Sequence, residues 1–146
     1  MVQPIQGDAR QILRQLLYDS WNLGSPLAKA DIATKNFVVD KSNHVYQRLA
    51  VSVRRMNADF KILSTGPTPL RIVWDRLAIG CWTQLDSQLE TMVNEAIRIV
   101  DANRGISASG VDDLICEGRT PVDNLTERDS VIGEDVRVLM QYVAAT

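Results

Sequence analysis

Apolar and polar positions change their spacing several times along the chain, and each change marks an element. From Ala9 to Trp21 the apolar residues Ile12, Leu13, Leu16 and Leu17 recur at helical intervals, with Tyr18 and Trp21 extending the stripe. Asp8 ahead of them carries the short acceptor side chain of a helix N-cap, and Gly24-Ser25-Pro26 stops the run because Gly and Pro cannot continue it. Residues 24–34 read as irregular, and Asn36–Asp40 as a short strand. From Leu49 the spacing turns to two: Leu49, Val51 and Val53 alternate with Ala50, Ser52 and Arg54, as in a half-buried strand. A further short strand is expected over Phe60–Ser64, with a turn at Asn57-Ala58-Asp59 between them.

Gly66-Pro67-Thr68-Pro69 breaks the chain, and Leu70–Thr83 follows as an extended run long enough that a bend or an internal turn near Asp75 is expected. The spacing then returns to three and four. Leu85, Leu89, Met92, Val93, Ala96, Ile97 and Val100 make one stripe, Gln88, Glu90, Glu95, Arg98 and Asp101 face away, and Asn103-Arg104-Gly105 closes the helix. A strand at Leu114–Cys116, an acidic loop from Glu117 to Glu134, and a last strand alternating through Val136, Val138, Met140 and Tyr142 complete the chain. The expected order is α-β-β-β-β-α-β-β. Two helices with one apolar face each, among strands of antiparallel type, predict one α+β domain over 1–146, a mostly antiparallel or mixed sheet with both helices on one face.

Length and composition agree with that picture. The 146 residues, 45% of them hydrophobic and 23% charged, are enough for one core and rule out disorder as the main state. A pI near 5.3 argues against bulk attraction to nucleic acid. No apolar run reaches the ~18 residues of a membrane-spanning helix, and residues 1–8 lack the pattern of a secretory signal.

Candidate chemistry is sparse. His44, the single histidine, lies in a polar segment read as an exposed loop and cannot supply a zinc site or a hydrolytic triad by itself. Cys81 and Cys116 stand in apolar strand contexts as buried thiols, with a disulfide between them left open. Phosphate-binding glycine loops are not found. Asp59 and Lys61, with Asp75 as a metal partner, could hold Mg²⁺ and orient water as a small nuclease would. An Asp at a turn beside a solvated Lys is the plainer meaning. The expectation is therefore no catalytic residue, no cofactor and no metal.

Charge changes the picture more. Through Leu85 the chain has four Lys and seven Arg against six Asp, a net +5; from Asp86 it has five Arg against seven Asp and five Glu, a net −7. The near-neutral total of −2 is a cancellation. A polarised solvated surface is one meaning. The other is a pair of complementary faces, which head-to-tail packing in a ring would bring together. On that reading Arg54, Arg55, Arg71 and Arg76 meet Glu90, Glu95, Asp112 and Asp113 of a neighbour. Trp74 and Trp82 would serve either the core or such an interface.

Three segments resemble a known family. They are the opening helix Asp8–Leu17 ending at Trp21-Asn22, the strand end Ile79-Gly80-Cys81-Trp82-Thr83 with the helix Leu89–Arg104 after it, and the last strand Asp135–Val143. In layout the chain resembles the tail terminator, or tail completion, proteins of long-tailed bacteriophages and related viruses. The resemblance implies a virion protein assembled in the host cytoplasm as a homohexameric ring. Such a ring caps the tail tube, ends its polymerisation and offers a face to the head–tail connector or neck protein. DNA only passes through its lumen, and no membrane is involved. The family has no catalytic residue to carry over. A neck or head-completion protein of the same virion, the nuclease above, and a cellular adaptor domain are the alternatives.

Overall fold

The fold was obtained as a computed structural model, which describes Ile5, residues 8–23, 32–33, 50–83, 86–105, 110–121 and 132–145. The strand expected at 36–40, His44 and most of the acidic loop, 122–131, lie outside the described residues.

The elements run α1 (Ala9–Ser20), β1 (Ile32–Ala33), β2 (Ala50–Ile62), β3 (Leu70–Thr83), α2 (Asp86–Ala102), β4 (Val111–Pro121) and β5 (Ile132–Ala145). They form one α+β domain whose sheet has the order β1-β2-β3-β5-β4. β1 joins β2 in parallel, and the other neighbours are antiparallel.

Three expectations need correction. The two strands foreseen around a turn at 57–59 are one strand, β2, with a bulge between Arg55 and Asn57. Met56 is the extra residue there, and it lets a polar interruption pass without ending the ladder. β3 runs through Asp75 without a turn, because β2 and β5 pair with it along its length. The strand expected at 114–116 reaches from Val111 to Pro121, which shortens the acidic loop from its start.

Both helices lie on one face of the sheet. β3 sends Val73, Asp75, Leu77, Ile79, Cys81 and Thr83 inward, and all are buried. They sit opposite Tyr142, Met140, Val138, Val136, Glu134 and Ile132 of β5. α1 adds Ala9, Leu13 and Leu17, and α2 adds Met92, Val93, Ala96, Ile99 and Val100, to the same core. Each fully buried aliphatic side chain of this kind is worth about 1.5–3 kcal/mol. Asp8 caps α1 by accepting from the Arg10 amide at 2.7 Å, as its position in the sequence foretold. Gly105, with φ at +69°, takes the left-handed conformation that ends α2.

The helix layer covers only part of the sheet. Residues 59–68, the end of β2 and most of its turn into β3, are all exposed. The turn is held by the Leu63 amide donating to the Leu70 carbonyl at 2.8 Å, and the Leu70 amide donating to Ser64 Oγ at 3.2 Å. Gly66 within it has φ at +141°, which residues with a Cβ rarely adopt.

Candidate assembly surface

Most of the charged residues singled out from the sequence turn out to have work inside the subunit. Arg54, on the sheet face away from the helices, forks onto Asp135 of β5, one of its two bonds measuring 2.8 Å. Its Ala78 neighbour on β3 is small enough to let the guanidinium cross the strand. Arg55 points to the helix side. Its Nε and Nη2 reach Asp75 at 3.0 and 2.8 Å, and Tyr142 donates its hydroxyl to the same carboxylate at 2.7 Å. Asp75 is 0% exposed, so this carboxylate is buried at the cost of desolvation and held by charge-assisted bonds. Burial first, and the Asp75 hydrogen bond second, push the Tyr142 phenol well above its ordinary range.

Arg76 reaches Asp59 at 2.9 Å and lies 3.8 Å from Glu117. Arg71 stacks over the Phe60 ring at 5.5 Å. Glu90 accepts from Arg119 at 2.7 and 2.9 Å, bonds that hold its carboxyl below the usual range, and Arg119 also binds Glu134. This cluster ties α2 to β4 and β5. Burial raises the Asp113 carboxyl, but bonds from Arg104 and from the Leu114 and Gly105 amides outweigh it and leave a net lowering. Asp112 is exposed in a bulge of β4 between Val111 and Asp113.

Glu95 departs from its expected outward orientation, being only 6% exposed. It accepts from the Asn22 amide at 2.9 Å and binds Arg98, whose other arm donates to the Ser20 carbonyl at 2.9 Å. Together they satisfy the frayed end of α1, where carbonyls lack helical partners. Glu95 thus joins the two helices and is not presented to a neighbouring subunit.

The nuclease constellation does not assemble. Asp59 sits opposite Trp74, and Lys61 opposite Ile72, on the outer face, whereas Asp75 points inward among Arg55 and Tyr142. Among the described residues no group of three or more His, Cys, Asp or Glu is placed to hold a metal ion. Cys81 and Cys116 are unbonded thiols on β3 and β4, with β5 between them. Two strand spacings of roughly 9–10 Å, and a four-residue offset along β5 (Cys81 opposite Glu134, Cys116 opposite Val138), put them beyond disulfide reach. Burial pushes the Cys81 thiol up to about 12.

What sequence reasoning missed is apolar. Among the described residues four large hydrophobic side chains are exposed: Met56, Phe60, Ile62 and Leu63. All four belong to β2 and the turn after it, and Phe60 and Ile62 face the helix side of the sheet, beyond the reach of the helices. A pointer was present in the register: Ile62 faces Arg71 across the hairpin, a poor pairing for a core position. The exposed hairpin end, hereafter the arm, is where the described residues leave their large apolar side chains uncovered.

No protein-family model matches the chain, and no curated protein is recognisably similar to it in sequence. None of the helices among the described residues is long and apolar enough to cross a membrane.

Proposed function

We propose that the protein is a structural subunit of a tailed virion, a tail terminator whose copies form a ring on the end of the tail tube. The ring ends tube polymerisation and presents a face to the head connector, while DNA passes through its lumen. The observation that carries the self-association is the arm. Phe60 is 64% exposed and Ile62 54%, with Met56 and Leu63 beside them, and surfaces of this kind mark contacts with another chain. Covering each large side chain would contribute about 1.5–3 kcal/mol per contact. Repeated around a ring, two such side chains per interface give an assembly substantial cohesion. The resemblance of the opening helix, the helix after Thr83 and the last strand to tail terminators supplies the particular role.

Native mass spectrometry and electron microscopy of the purified protein test this, alone and with a tail-tube protein. Rings of one discrete size that bind the tube end are the expected result. A strict monomer under both conditions ends the proposal.

A further inference from the structure

Among the described residues the sheet ends in two long edges without a neighbouring strand. β1 covers β2 only at Val51 and Ser52, so among the described residues Arg54–Ile62 has no neighbour on its outer side. β4, eleven residues long, closes the other side of the sheet and has no neighbour on its far edge among the described residues. Unpaired edges of this length attract other strands, and proteins usually protect them. Here the protection is partial. Bulges interrupt β2 after Arg55 and β4 at Asp112 and Glu117, leaving regular, pairable stretches between them.

We propose that the bare arm edge of β2, Asn57–Ile62, adds to the β4 edge of a second copy, so that each subunit continues its neighbour's sheet. This inference rests on the proposed self-association and names its seat. Strand polarity agrees with it. β2 and β5 run one way, β3 and β4 the other. Rotation about an axis along the strands keeps those directions, so an incoming β4 arrives antiparallel to β2. The same rotation keeps the helix side on one side. It brings the neighbour's helix layer next to Phe60 and Ile62, the side chains that lack cover in the single subunit.

Charge agrees as well. The arm carries Lys61, while its acid Asp59 is answered by Arg76. The β4 edge carries the exposed Asp112 on its first bulge, while Glu117 on the second faces Arg76 of its own subunit. An edge with surplus positive charge faces one with surplus negative charge, which a head-to-tail contact requires and a two-fold contact between like edges would not satisfy.

The test uses the full chain with two exposed-site variants, Lys61→Glu on the arm and Asp112→Lys on β4, followed by sedimentation at low salt. Each variant alone is expected to raise the concentration needed for assembly by about tenfold or more. Both sets in one chain are expected to restore assembly, and so is a one-to-one mixture of the two variants, because an alternating order joins the reversed arm of one to the reversed β4 edge of the other and leaves the remaining contact as in the wild type. Unchanged melting temperatures confirm that the variants fold. Hydrogen exchange on the wild-type protein gives an independent reading: amides of Asn57–Ile62 and of β4 should slow on assembly. Rings that form equally well in both variants, without added protection of those amides, overturn this seat and leave the proposed function standing. A wild-type protein that remains monomeric overturns both.

Discussion

The same two strands behave in opposite ways at their two ends. Near the helices, Val51 pairs with Cys81 and Val53 with Ile79, and all four side chains are buried in one core. Further along the same ladder Phe60 pairs with Val73 and Ile62 with Arg71, and both β2 residues stand exposed. Alternation is intact at both ends. It decides which face a side chain takes but not whether anything lies over that face. The cover at the first end is α1 and α2, and their lengths, not the strands, set where the core stops.

The largest expected effect comes from the covered end. Leu77→Ala, at a fully buried site facing Val138, should cost about 2–5 kcal/mol in urea unfolding, from lost transfer energy and a cavity the helix layer cannot fill. A loss under 1 kcal/mol would mean that the two ends differ less than their burial indicates.

At the boundary between the two ends sits Asp75. Its replacement by Ala strands the Tyr142 hydroxyl and the Arg55 guanidinium; since Arg55 is 42% exposed, water recovers part of the loss, and about 2–3 kcal/mol is expected. If the boundary bond is as described, Tyr142→Phe should cost about 1 kcal/mol. Pairing the two changes should cost less than their sum in a double-mutant cycle, because both remove the same bond.

The titration of Tyr142 gives a smaller and more specific reading. Its folded pKa is raised, so the native state keeps the proton that the unfolded chain gives up near pH 10. The resulting stability is whole below about pH 10 and declines as pH rises beyond it. Cys81, moved from 9.0 to about 12, adds a decline of the same sign across that interval. Denaturant titrations between pH 8 and 11 should show this slope in the wild type and a shallower one in Tyr142→Phe. Equal slopes would remove the phenol from the account.

The smallest effect on the subunit belongs to the arm. Phe60→Ser should change the stability of the monomer by no more than about 0.5 kcal/mol, because little is buried there to lose. Its effect should fall on association, read as a shift toward monomer in sedimentation. A large loss of monomer stability would show that the arm is part of the core after all.

Much of this architecture was legible in advance, and the reasons are specific. α1 and α2 each own a stripe three or four residues in period, with Asp8 as the cap that starts the first and Gly105 as the stop after the second. β5 was legible because its inward side chains alternate without interruption. β2 was not, since Met56-Asn57-Ala58-Asp59 has the composition of a turn, and only the pairing with β3 shows that the chain stays extended around a bulge. Asp75 suggested a break for a similar reason. In the fold its parity with Val73 and Leu77 turns it inward, where Arg55 and Tyr142, twenty and sixty-seven positions away, make a buried carboxylate tolerable. Glu95 was misjudged because its justification is the end of α1, seventy-three positions earlier in the chain.

By itself, then, the sequence determined the local things: helical and extended periods, caps and stops, a single α+β domain, and the cancellation of unlike charge in its two parts. Those properties depend on residues within a few positions of one another, where spacing and side-chain type are sufficient. The tertiary structure alone decided which charges are consumed inside the subunit and which hydrophobic positions go without cover. Both depend on what arrives from elsewhere in the chain. A carboxylate is structural or available according to whether a distant donor reaches it, and an alternating strand is core or contact surface according to whether a helix extends far enough to lie on it.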